Sequence, residues 1–194
     1  MLLFGSRLIG TPVMGLQTGT KLAQTASPLI DPADLKIVAY EVEGSQLVDH
    51  PTLIRVADVR ELSDVGMIID SSDEFIALED VVKIQQLYQL DFKLVGMNVV
   101  DESKHKLGRI EDYSLDSSSF IIQQLSVRRG IIKSLTDTSL LVHRSQIVEI
   151  NDNFIVVRST AERQDQVRET GRQTFINPFR PAPNQPELSR IDHN

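Results

Sequence analysis

The sequence predicts an all-β protein in which two copies of one small unit are joined by one amphipathic helix and followed by a disordered tail. Three observations predict this class: blocks recur at a near-constant offset, most apolar runs have strand length, and one stretch has helical periodicity. The chain has 194 residues, 41% hydrophobic and 5% aromatic, without Trp. The core must therefore be built from Ile, Leu and Val.

Four blocks of the first half are echoed in the second half at offsets of 85 to 88 residues. The matched blocks are Leu8–Val13 with Leu94–Val99, Lys21–Ala23 with Lys106–Gly108, Leu35–Val42 with Phe120–Val127, and Leu53–Val59 with Leu141–Ile147. Identity within each block is low, but a constant offset over four blocks is hard to obtain by chance. The pattern therefore predicts two copies of one unit.

Within each unit the local pattern is that of short strands. Lys36–Val42 and Phe120–Val127 are aliphatic runs of strand length that follow turn-forming residues. Gly66–Ile69 and Phe154–Val157 are predicted as closing strands. Short strands at this spacing favour a small barrel or sandwich over βαβ units.

One helix is predicted over Ala77–Leu90, where apolar residues recur at helical spacing. Its apolar stripe consists of Leu78, Val81, Val82 and Tyr88, flanked by Ile84 and Leu87. This helix joins the two units, and we expect one or both of them to cover its apolar face.

The last 36 residues, 159–194, differ from the rest of the chain. They hold four of the eight prolines, and their five arginines are balanced by five acids, so the net charge of −7 belongs to the body. We expect a short capped helix from Ser159 to about Glu169 and disorder beyond Gly171. The predicted organisation is a first repeat at 1–76, a connecting helix at 77–91, a second repeat at 92–158 and the tail.

The second unit resembles a PRC-barrel domain. The residues that carry the resemblance are Leu94–Asp101, Lys106–Tyr113, Phe120–Val127 and Leu140–Ile150. The first unit resembles the same pattern more loosely, with Ala23 where the family usually has a second Gly, and with Pro28 and Pro32 in its middle. Together the matches cover residues 5–76 and 92–158.

The resemblance implies two small PRC-type β-barrels in tandem, of the stand-alone bacterial type. PRC-barrel domains act as binding modules in the photosynthetic reaction-centre H subunit, in the ribosome maturation factor and in stand-alone proteins. In such a barrel Gly96 and Gly108 allow close backbone approach beside strands, or each completes an ordinary turn. The implied function is a non-enzymatic adaptor for a macromolecular partner.

Composition excludes several classes of chemistry. Cysteine is absent, which removes disulfides, thiolate zinc sites, iron–sulfur clusters and cysteine nucleophiles. The pI near 5.1 disfavours generic binding to DNA or to anionic membranes. No apolar run approaches the roughly 18 residues that cross a bilayer. We expect a cytoplasmic protein without a membrane span.

The sequence gives only weak signals for catalytic or metal-binding sites. The four histidines, His50, His105, His143 and His193, lack metal-ligand spacing. The segment Asp70–Asp73 resembles a calcium loop superficially but lacks its glycine and its terminal glutamate. We therefore predict no catalytic residue, no cofactor and no metal site.

Two segments are candidate partner-binding sites. The first is the basic and apolar connection after the third strand of the second unit, with Arg128, Arg129, Ile131, Ile132 and Lys133. Either its apolar residues plug one barrel end while the cations are solvated, or it contacts a protein or a structured RNA.

The second candidate lies in the tail, where Phe175 and Phe179 stand in a segment that is not expected to fold. Such residues dock on a partner or on their own domain, or they are incidental. We expect a protein partner for the whole molecule. The alternative is an RNA- or ribosome-associated factor analogous to the maturation factor's barrel.

Overall fold

The computed structural model describes residues 1–45, 47, 51–129, 139–151 and 153–158. Among them strands dominate, and Val82–Leu90 (α1) is the single α-helix. The strands are β1 (Leu2–Phe4), β2 (Pro12–Gly15), β3 (Thr20–Asp31), β4 (Lys36–Glu43), β5 (Thr52–Arg55), β6 (Glu61–Ser63), β7 (Gly66–Ile69), β8 (Phe75–Ala77), β9 (Asn98–Asp101), β10 (Lys106–Asp116), β11 (Ile122–Arg128), β12 (Ser139–His143), β13 (Ile147–Ile150) and β14 (Phe154–Val157).

The strands form two seven-stranded sheets that share one topology. The first has the order β6-β7-β2-β3-β4-β5-β8, and the second has the order β13-β14-β9-β10-β11-β12, with β1 paired to β10. Six consecutive positions therefore correspond strand for strand. Each sheet also contains one parallel pair at the same place, β2 with β7 and β9 with β14. The two copies expected from the sequence thus share one strand order.

Backbone details recur at the same repeat positions. Gly10 and Gly96 both have positive φ, 73° and 96°, and each donates its N–H across 2.8 Å to the next long strand. Leu35 and Phe120, 85 residues apart, also both have positive φ, 47° and 56°. Bulky residues rarely adopt this conformation, so the same turn geometry is imposed in both copies.

Gly108 has a different role from that of Gly96. A Cβ atom at Gly108 would collide with the Arg128 carbonyl oxygen on the neighbouring strand. The residue is therefore needed for close backbone approach, whereas Gly96 is needed for its positive φ.

The two repeats are joined by a reciprocal contact. Ile37 N–H donates to the Phe120 carbonyl (3.0 Å), and Ile122 N–H donates to the Leu35 carbonyl (2.8 Å). Because these residues are equivalent in pairs, the contact relates the repeats by an approximate two-fold axis. One hydrophobic core, which includes residues such as Ile37 and Ile122, extends through both repeats.

The expectation of two small barrels is met only in part. Strand pairing among the described residues gives two open sheets and no closed ring of strands. The chain start also does not stay with its own repeat, because β1 adds to β10 in the second sheet.

The helix prediction is too long at its start, because Ala77–Val81 precede α1. Ala77 pairs opposite Thr52 in β5, and the Asp80 carboxylate accepts the Ala77 N–H at 2.7 Å. Strand pairing and this turn therefore override the helical periodicity. Within α1, Ile84 is buried but Val82 is 67% exposed, so Val82 does not belong to the apolar stripe.

The helix packs on the first sheet. Ile84 lies in a small cluster with Ala39 and Leu53, on the sheet face opposite to the main core. An ion pair between Lys83 Nζ and Asp31 (3.1 Å) adds a second tie to the same repeat. The predicted short helix at 159–169 and the tail lie outside the described residues. No helix in the described ranges is long and apolar enough to span a membrane.

Candidate functional site

A groove of about 750 Å³ lies between the first sheet and the start of the second repeat. Its walls come from β3, β4 and β5, from the end of α1 and the connection at 91–95, and from β10 with the 3₁₀ turn Gly5–Leu8. These elements are distant in sequence and meet because the two repeats pack on each other and α1 packs on the first sheet.

The floor of the groove is apolar. Leu29 and Leu53 belong to the sheet face that α1 covers, and Tyr88 is on the helix itself. At the groove Ile9 and Val95 are 45% and 52% exposed, and they occupy equivalent positions of the two repeats. Exposed apolar residues from both copies therefore contribute to one concave surface, as in many ligand sites.

Tyr113 forms a buried part of the lining. Its ring lies against Gly5, where any side chain would collide with it. Burial, together with the negative charge of Asp112, raises the pKa of Tyr113 above its ordinary value. Burial likewise raises the pKa of the neighbouring Tyr40, whose hydroxyl has no hydrogen-bond partner among the described residues. Both phenols therefore stay neutral at physiological pH.

Two carboxylates of the groove are held by serines. The Ser27 hydroxyl donates to Glu41 Oε2 (2.9 Å), and the Ser6 hydroxyl donates to Asp112 Oδ2 (2.6 Å). The Tyr113 N–H also donates to Asp112 Oδ1 (2.8 Å). Neither Glu41 nor Asp112 has a cationic partner among the described residues.

The remaining charged groups of the lining are paired. Asp91 binds Lys93 Nζ at 3.0 Å, and Glu111 binds Arg128 Nε at 2.9 Å. The groove thus has four carboxylates against Lys93 in its lining and Arg128 beside it. Its net charge is negative, which favours cationic ligand groups and opposes phosphates.

The partner-binding residues expected from the sequence are only partly placed by this geometry. Arg128 is exposed and contacts the groove through Glu111, while Arg129 is exposed just beyond β11. The other predicted residues, Ile131, Ile132, Lys133, Phe175 and Phe179, lie outside the described residues. The groove itself was missed, because its members share no local motif. The one available signal was the repeated Leu-Ile-Gly and Leu-Val-Gly start of each copy.

The described histidines have structural contacts. His105 Nδ1 lies 3.1 Å from Asp101 in an exposed turn, and the His105 backbone N–H is the main cause of the lowered pKa of Asp101. His143 accepts the Ser145 N–H and so caps the turn after β12. Within the described ranges, no cluster of His, Asp and Glu could hold a metal ion.

Comparison of the chain with protein-family models gave no match, and comparison with curated protein sequences gave no significant match. Neither comparison therefore tests the resemblance to PRC-barrel domains, which rests on the residues quoted above. What the groove binds must be argued from its own geometry.

Proposed function

We propose that the chain is a cytoplasmic, non-enzymatic adaptor with tandem PRC-barrels, and that the groove between its repeats engages a protein partner. The groove is the observation that carries this proposal, because it combines an apolar floor with carboxylates that lack cationic partners. The common strand order of the two sheets supports the tandem assignment. A cysteine-free chain is compatible with a reducing compartment.

The partner chemistry follows from the lining. An aromatic or aliphatic side chain would cover the exposed Ile9 and Val95, and a neighbouring Lys or Arg would pair with Glu41 or Asp112. Both carboxylates are already oriented by serine hydroxyls, so a cation would find them in position. A peptide segment with an apolar residue between basic residues has this chemistry.

A direct test uses the absence of Trp from the chain. The probe is the peptide acetyl-Gly-Arg-Trp-Lys-Gly-amide, whose Trp supplies the fluorescence signal. The matched probe replaces Arg and Lys with Glu. We expect saturable binding of the basic probe, about fivefold or more tighter than that of the acidic one, since two exposed ion pairs contribute about 1 kcal/mol together. Equal affinities would contradict the proposed charge selectivity.

Variants identify the groove as the site. Glu41→Gln should weaken binding of the basic probe. Glu43→Gln, on the same strand but outside the groove, should leave that binding unchanged. Ser27→Phe should block binding by filling the groove, while Ser103→Phe, in an exposed turn, should leave it intact. Binding that survives Ser27→Phe would exclude the groove.

The RNA- or ribosome-associated alternative predicts a different pattern. RNA captured by the full chain should be lost after Arg129→Glu and should be unaffected by Ser27→Phe. A partner that is retained after nuclease treatment and lost with Ser27→Phe supports the adaptor.

A further inference from the structure

We propose that the outer edge of β12 is a strand-addition site for an extended apolar segment of a partner protein. Among the described residues β12 pairs with β11 alone. The backbone groups on its other side are therefore available to a further antiparallel strand. This site does not depend on the groove, whose lining includes no residue of β12.

In the first repeat the equivalent strand edge is paired with a further strand. The equivalent strand, β5, pairs with β4 on one side and with β8 on the other. Ile76 of β8 stands opposite Leu53, and β8 together with the helix region leaves Leu53 fully buried. Its equivalent in the second repeat, Leu141, is 61% exposed. Each repeat thus has an equivalent strand at this position. Among the described residues, a further strand pairs with it in the first repeat only.

The edge of β12 also lacks the usual protection against strand addition. Its sequence, Ser139–His143, has no Lys, Arg, Asp, Glu or Pro, the residues that commonly prevent pairing at sheet edges. Of the other outer strands, β6 and β13 each carry a glutamate, Glu61 and Glu149, whereas β8 (Phe75–Ala77) is as free of charge as β12. An unprotected edge beside an exposed leucine is consistent with a receptor for a strand.

The occupant is defined by the chemistry of β8. It is an extended segment that runs antiparallel to β12 and places a β-branched or other apolar residue opposite Leu141, as Ile76 stands opposite Leu53. Backbone hydrogen bonds would supply affinity, and the contact with Leu141 would set the register.

The experiment uses the full chain labelled with ¹⁵N and a peptide with the sequence of residues 73–79, acetyl-Asp-Glu-Phe-Ile-Ala-Leu-Glu-amide. We expect saturable chemical-shift changes at the amides of Ser139–His143. Leu141→Lys should weaken binding by about tenfold or more, because the apolar contact is lost. Val148→Lys, which changes another exposed apolar residue of the same repeat, should have no effect. A peptide with Asp in place of Ile should not bind.

Four results would overturn the proposal. The peptide could leave β12 unchanged, or Leu141→Lys could bind it as well as the original chain does. Amide exchange in the free chain could show every amide of β12 protected, which would mean that the edge is already covered. Finally, concentration-dependent association that Leu141→Lys abolishes would assign the edge to a second copy.

Discussion

Replacing Ile84 with alanine should destabilise the protein, whereas the same change at Val82 should not. Ile84 is 5% exposed and packs against Ala39 and Leu53, so its truncation leaves a cavity under the helix. Such truncations cost about 2–5 kcal/mol, and a cluster this small places Ile84→Ala near the lower value. Val82 is 67% exposed, and alanine is the better helix former by about 0.5 kcal/mol, so Val82→Ala should be neutral or slightly stabilising.

Urea denaturation monitored by circular dichroism measures both effects. With an m-value of about 2–3 kcal/mol/M, a loss of about 2.5 kcal/mol lowers the midpoint by roughly 1 M. The m-value should not change, because the variant keeps the same fold.

Equal midpoints for the two variants would refute the packing of α1 on the first sheet. A larger loss of stability for Val82→Ala than for Ile84→Ala would show instead that Val82 is buried, as the stripe predicted from the sequence requires.

Three further predictions concern single residues. Gly108→Ala should cost about 1–3 kcal/mol in denaturation experiments, because the new methyl group meets the Arg128 carbonyl; an unchanged midpoint would exclude this close approach. Val81→Asp should lower the denaturation midpoint, since it places an unpaired charge in the half-buried cluster under α1; an unchanged midpoint would mean that this side chain faces water. The lowered pKa of Asp101 stabilises the fold above its unfolded pKa of about 3.9, and this contribution is lost as the pH falls. Asp101→Asn should therefore destabilise the protein at about pH 6 and have little effect at about pH 3. An equal loss of stability at both pH values would refute this role of Asp101.

The sequence predicted those strands whose pattern is local. Gly66–Ile69 and Phe154–Val157 have the predicted bounds, because each is a short apolar run next to turn residues. The full length of β3 was not predicted, since Ser, Thr and Pro28 interrupt its apolar pattern. Pro28 is accommodated where the pairing of β3 with β4 is irregular, so the strand continues past it.

The groove could not be predicted for a different reason. Ser27 and Glu41 belong to the first sheet, Tyr88 to the helix and Asp112 to the second sheet. Their proximity depends on how the repeats dock, and no local periodicity encodes it. The repeat itself was detectable, because equivalent backbone positions require similar residues in both copies, as at Gly10 and Gly96.

The two repeats share a backbone but differ in what covers their outer faces, and this difference explains why the candidate sites are distinct. Ala39, fully buried under the helix region, corresponds to the partly exposed Gln124 of the second repeat. At the next equivalent pair, both copies keep leucine, Leu53 and Leu141, although Leu141 is exposed. A face that had simply become solvent-exposed would be expected to lose its leucine along with its other apolar residues. The retention of Leu141 beside an unprotected strand edge is what favours a binding role for the second repeat over a passive surface.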